Sequence, residues 1–207
     1  RQMCIRDIST SLVMKNGAVF KSTNDDSINI NTLLSISETG VKISGNGTLE
    51  AAPNRPNHTS DFIEVRKGGS LDIYGNLTFD AKGGSKANNA IRIFKGTANI
   101  HSGYFHTVGG SPKENSSECI LIGYYNTDCY LNITGGIFES DGDATYLINC
   151  MDDYKKRCHV KVMGGTFVGF NPADNTADGA HTNYVAPGYK SVETTYNGKQ
   201  AWKVVKE

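Results

Sequence analysis

The sequence predicts an all-β fold, a right-handed parallel β-helix of about five coils of roughly 29 residues closed by a C-terminal β-hairpin, and three observations carry that reading. A short apolar strand runs five times into a glycine or serine turn and then a Leu or Phe: ISGNGTL from Ile43, IYGNLTF from Ile73, IHSGYF from Ile100, ITGGIF from Ile133 and VMGGTF from Val162. The copies start 30, 27, 33 and 29 residues apart, too far for a hairpin period and suited to one coil of a solenoid. A second set, LSI at Leu34, IEV at Ile63, IRI at Ile91, ILI at Ile120 and YLI at Tyr146, keeps step at 29, 28, 29 and 26 residues. The stretch 189–207 breaks the repeat and alternates apolar and polar residues around Asn197-Gly198, a strong hairpin signal.

Each coil then holds three strands. The first is the LSI-type triplet. The second places Val41/Ile43, Leu71/Ile73, Ala98/Ile100, Leu131/Ile133 and Val160/Val162 inward, with Lys42, Asp72, Asn99, Asn132 and Lys161 outward, because side chains alternate along a half-buried strand. The third, after the glycine turn, stacks Leu49, Phe79, Phe105, Phe138 and Phe167 inside. Right-twisted strands favour a right-handed crossover. Glycines 45, 75, 103, 135, 136, 164 and 165 fall where the chain bends, with positive φ expected. The terminal hairpin, with Trp202 inward and Lys203 and Lys206 outward, hides the last strand edges.

Residues 8–170 therefore form the solenoid and 171–207 a loop and hairpin cap. Residues 1–7, RQMCIRD, resemble a translated sequencing-library adapter, which sets them apart as non-native and removes Cys4 from the cysteine count. The 21 basic residues balance the 21 acidic ones, so no global field favours nucleic acid as a partner. No apolar run reaches the roughly 18 residues of a membrane span, so no membrane insertion is expected.

The turns between first and second strands are short in early coils and grow at 123–130 and 149–159, so two adjacent coils project from one edge. Tyr124, Tyr125 and Tyr154, with Asn126, Asp128 and Lys155, supply aromatic faces and polar groups suited to a sugar. Packing of the tyrosines onto the solenoid body is the alternative. The run 155–157 suits an anionic sugar or a solvated loop tip. Cys129 and Cys158 occupy equivalent places in consecutive coils and are disulfide candidates, as are Cys150 with Cys158, and Cys119; free thiols are the alternative. Their spacings fit no zinc pattern.

Two enzymatic comparisons remain. Asn126-Thr127-Asp128 followed by Asp152-Asp153 resembles the carboxylate set of polygalacturonases, which implies catalytic roles for Asp128, Asp152 and Asp153. The chain departs from that family: its Gly-His-Gly is absent, with Gly179-Ala180-His181 nearest, and no Arg-x-Lys follows Arg157. Pectate lyases bind calcium through acidic side chains, and Glu139, Asp141 and Asp143 could ligate calcium here, though no arginine base stands beside them. No other cofactor is expected. The five histidines, at 58, 101, 106, 159 and 181, fall in no triad order and read as solvated. The outward rows Ser35, Glu64, Arg92, Leu121, Leu147 and Lys42, Asp72, Asn99, Asn132, Lys161 do not gather the two carboxylates that glycoside hydrolysis needs.

With its repeat and its ending GGTFVGFNPADN…GAHTNYVAPGYKSV, the chain resembles the β-helical proteins of tailed bacteriophages and of gut bacterial surfaces. The resemblance implies a non-enzymatic spike, fibre or surface protein, on a virion or extracellular, that contacts bacterial surface polysaccharide, as a homotrimer in the phage case. A polysaccharide lyase or hydrolase and a structural secreted adhesin are the competing expectations.

Overall fold

The structure, a computed structural model, describes residues 3–5, 11–21, 32–50, 60–81, 88–108, 118–141 and 146–207. Its strands stack in parallel as a β-solenoid, in which five glycine corners bound about four turns. The first wall of the coil contains Met3–Ile5, Thr32–Ile36, Ser60–Val65, Asn88–Ile93, Ile120–Ile122 and Ile148–Cys150, each paired with the next. The segment set apart at 1–7 thus contributes that wall's first strand, Met3 aligning with Leu34. The second wall runs from 41–43 through Gly69–Ile73, Gly96–Ile100 and Cys129–Ile133 to Cys158–Val162. The third runs from 46–50 through Asn76–Ala81, Tyr104–Val108 and Ile137–Asp141 to Thr166–Val168. Val41–Glu50 belongs to both, turning the corner at Gly45 with φ 112°, and Ser11–Lys21 pairs along its length.

Inward apolar residues from all three walls share one core. Leu49, Phe79, Phe105, Phe138 and Phe167 align rung by rung and are fully buried. The four Phe rings are stacked, with centroid separations of 4.5, 5.0 and 4.9 Å along the column. Identical rings repeat at the strand spacing, so each covers the face of the last and excludes water from the whole row.

Two sequence expectations on register shift. The partner of Ile120–Ile122 is Ile148–Cys150, not the triplet at Tyr146, so Leu147 is buried at 3 % exposure and Asn149 takes the outward place. Both triplets alternate in the same phase, and only the hydrogen-bonded register separates them. Gly135 and Gly164 lack the positive φ found at the other five corner glycines. They are glycine for another reason: a Cβ would collide with the carbonyl oxygen of His101 at the one and of Thr134 at the other.

The cap is broader than a hairpin. Tyr189–Tyr196 and Lys199–Lys206 pair around Asn197 and Gly198, both with positive φ, and the second strand adds antiparallel to Thr166–Val168. Lys203 and Lys206 are exposed as expected. Trp202 lies opposite Phe167 but is only half-buried, since no further coil lies beyond it, and Ala201 and Val204 take the fully covered places. The preceding loop closes the other two walls. Val185 bridges Val162 in parallel, and the Asp178 carboxylate accepts the backbone N–H of Cys150 at 3.2 Å. No helix among the described residues is long and apolar enough to cross a membrane.

The close approach at Gly135 gives a direct test. Gly135→Ala should destabilise the protein by about 1–3 kcal/mol, read from the urea unfolding midpoint, although alanine tolerates the backbone angle there. An unchanged midpoint would show that the two coils separate freely at this corner.

Candidate functional site

The corner between the first and second walls is where the chain departs from economy. In three coils it is a tight turn, at 37–40 in the first, holding Arg66 and Lys67 in the second and Phe94 and Lys95 in the third, with Lys67 at φ 54° and Gly96 at φ 139°. In the following two coils it swells into 123–128 and into a 3-10 turn at Asp152–Arg157. These insertions are built onto the short turns. The Thr127 hydroxyl donates to the carbonyl oxygens of Tyr124 at 2.6 Å and Phe94 at 3.0 Å, which ties the first protrusion to the coil below. The Tyr154 N–H donates to the Met151 carbonyl at 2.8 Å, tightening the second.

The three tyrosines singled out from the sequence come together. Tyr124 meets Tyr125 edge to face at 4.5 Å, and Tyr125 lies 5.6 Å from Tyr154. Tyr124 and Tyr125 remain 40 % and 63 % exposed, whereas Tyr154 is half-buried. Phe94, in the two-residue turn below, extends the cluster with its ring 5.2 Å from Tyr124. Two guanidinium groups lie over Phe94: Arg66 at 4.4 Å and Arg92 at 4.6 Å from the ring centroid. Arg66 also pairs with Glu64 at 2.6 Å. Sequence reasoning missed Phe94 and Arg66 and placed Arg92 only in an outward row, since nothing in a two-residue turn marks it as the floor of a protrusion on the next coil.

The polar candidates divide. Asn126 forms the exposed tip of its turn at φ 35°. Asp128 accepts from Arg157 at 3.3 Å and from His159 at 3.2 Å, so it binds the two protrusions to each other. Lys155 reaches the Asp178 carbonyl oxygen at 3.2 Å and contacts Asp152 at 3.9 Å. Asp152 and Asp153 open the 3-10 turn and face solvent, Asp152 with 89 % of its side chain exposed. Asp128 is thus occupied by a guanidinium and an imidazole while the aspartate pair sits on the tip of the other loop.

A denser constellation covers the outside of the third wall, a row the sequence reading left unweighed. His106 contacts Asp80 through Nδ1 at 3.1 Å and Asp141 through Nε2 at 3.0 Å. Only the imidazolium can donate from both nitrogens. Its pKa is raised, first by the hydrogen bond to Asp80, against the opposing effect of burial. Lys199, from the cap hairpin, bridges Glu139 at 2.6 Å and Asp141 at 2.8 Å, and Tyr104 donates to Glu139 at 2.6 Å. Burial pushes Glu139 upward, but the bonds from Lys199 and Tyr104 hold it below the ordinary carboxylate range. Asp141 is lowered by Lys199 and then by His106. Two of the three calcium candidates therefore already share an ammonium group, and Asp143 lies outside the described residues. No group of three or more His, Cys, Asp or Glu suited to hold a metal occurs among the described residues.

Histidines prove more organised than the expectation of free solvation. His101 joins Thr134 at 2.9 Å and Asp72 at 3.2 Å while stacking on Tyr74 at 4.2 Å. His159 stacks on Tyr130 at 4.7 Å, and His181 meets Asp174 at 3.0 Å. His58 lies outside the described residues.

The cysteine candidates are all free thiols. Cys129 and Cys158 do face each other in register on adjacent rungs, and Cys150 donates a hydrogen bond to Cys158, yet no pair is joined. That bond lowers Cys158 and, with burial, holds Cys150 far above the ordinary thiol range. Cys119 stands apart, buried beside Thr107, and burial pushes it up to about 12.

Two outcomes test this electrostatic layout. His106 binds its proton more tightly folded than unfolded, so its contribution is complete below about pH 6.5 and is lost as pH rises through the raised value. The melting temperature should fall between about pH 6 and about pH 8 in the wild type and fall less in His106→Gln; equal falls would place the proton elsewhere. Brief treatment with an alkylating reagent at neutral pH, read by peptide mass mapping, should label Cys158 before Cys129 and leave Cys119 unlabelled until the protein unfolds. No family model, curated protein or solved structure matches this chain.

Proposed function

We propose that this solenoid is a non-enzymatic glycan-binding rod, displayed on a virion or a bacterial surface, that engages bacterial surface polysaccharide through the enlarged corner at 123–128 and 151–157. The observation that carries the reading is the gathering of Tyr124, Tyr125 and Tyr154 from two separate loops, with the first two left exposed. A sugar ring offers an apolar C–H face that desolvates well against an aromatic ring, and its hydroxyls need polar groups at the margin. Asn126 and Lys155 stand at that margin, both exposed. The rigid coils below hold the rings in place before the ligand arrives, which lowers the entropic cost of binding.

Binding rather than hydrolysis is favoured by what the carboxylates do. Asp128 is engaged by Arg157 and His159, and Glu139 and Asp141 by Lys199. A general acid needs a carboxyl with a raised pKa beside a second carboxylate, and the shifts at Glu139 and Asp141 run the other way. In the phage setting three such rods would stand side by side, a homotrimer that sedimentation would register.

A glycan array probed with the wild type and with the Tyr124→Ala/Tyr125→Ala double variant tests the platform. The expected result is binding to a subset of bacterial glycans that weakens by tenfold or more in the double variant, a loss of about 1.4 kcal/mol or greater. Equal binding by the two proteins would remove the platform from the account.

A further inference from the structure

Arg92 sits on the outside of the first wall, between Ile91 and Ile93, both of which are fully buried in the core. Its neighbours along the row are Glu64 on one side and Leu121 on the other. Glu64 is engaged by Arg66, and Leu121 offers no charge. Among the described residues no carboxylate pairs with Arg92. Its Nη2 donates to the Met151 sulfur at 2.8 Å, a weak acceptor, and its Nε is buried with no hydrogen-bond partner. A guanidinium cannot shed its proton, so the charge persists beneath the aromatic cluster with one donor unsatisfied, a costly arrangement in a protein left to itself.

The unsatisfied donor and the weakly satisfied one have a common geometry. Nε–H and Nη2–H form one side of the guanidinium fork, the edge that receives a carboxylate through two parallel hydrogen bonds. The Met151 side chain, which covers half of this edge, is unbranched and flexible. Met151 immediately precedes the 3-10 turn that carries Tyr154, so the covered edge and the sugar platform belong to the same corner.

We propose that the Nε–Nη2 edge of Arg92 receives the carboxylate of a uronic-acid residue, displacing the Met151 side chain, and that the polysaccharide bound at this corner is therefore an acidic one. This rests on the glycan-binding reading and narrows it to a chemical class. Arg66, whose guanidinium lies over the same Phe94 ring, adds positive charge beside the site, so the affinity also falls as salt rises.

The test is calorimetric titration of the intact chain with oligogalacturonate, oligomannuronate and oligoglucuronate, each beside the same chain with its carboxyl groups reduced to alcohols. The wild type should bind at least one acidic form about tenfold more tightly than its reduced counterpart, and Arg92→Gln should abolish that preference. Arg92→Lys, which keeps the charge but not the fork, should restore only part of it. Circular dichroism checks that the variants keep the strand signature of the wild type. The Tyr124→Ala/Tyr125→Ala variant should weaken acidic and reduced forms alike. Equal wild-type affinity for the two forms, a preference that survives in Arg92→Gln, or no binding to any uronate overturns the inference while glycan binding stands if neutral sugars bind. If neutral and acidic glycans alike fail to bind, the glycan-binding reading falls with it.

Discussion

Every surface feature of this protein depends on the in-register stacking of its coils, and the column of Phe79, Phe105, Phe138 and Phe167 is the clearest expression of that constraint. A parallel rung cannot slip by one residue without turning an inward phenylalanine to solvent. Once the column fixes the register, outward residues stack at the same spacing of about 4.8 Å, and their chemistry must be compatible with a neighbour directly above and below. Like charges on successive rungs repel. The third wall sets Asp80 between His106 and Glu50, with Glu50 drawn to Lys21, and the second sets Asn99 next to Asn132, whose amides bond at 2.9 Å.

The same constraint separates scaffold from site. Within the walls almost no residue is free to vary in position, whereas the corner between the first and second walls can lengthen without disturbing any rung. Its enlargement in consecutive coils lets two loops lean on each other through Asp128, Arg157 and His159. What results is an exposed patch of aromatic rings on a stiff support, with a guanidinium beneath it that is poorly served by its own protein.

Much of this was legible in the sequence because period and burial are both local signals. The glycine turns, the inward pairs of the second wall, the Phe column and the Asn197-Gly198 hairpin could each be read from a few neighbouring residues. The register at Ile148 could not, since Tyr146 and Ile148 share a phase and differ only in hydrogen bonding. The Lys199 contacts with Glu139 and Asp141 span 60 and 58 residues, and no periodicity predicts a clamp between the cap and a strand two turns of chain away. Tyr124, Tyr125 and Tyr154 were found because they lie in loops that break the period; Phe94 was not, because its turn keeps it.

The cap carries a consequence for assembly. A repeat of this kind has no inherent length, for each coil offers the next the same template of unpaired backbone groups. Here Asp178, Val185 and the strand Lys199–Lys206 each close a different wall of the final coil. These groups cover the final coil on all three walls and leave Tyr189–Tyr196, an antiparallel strand, as the last member of the sheet. A chain that kept its coils and lost residues 171–207 would carry, at its end, the kind of surface on which fibres elongate.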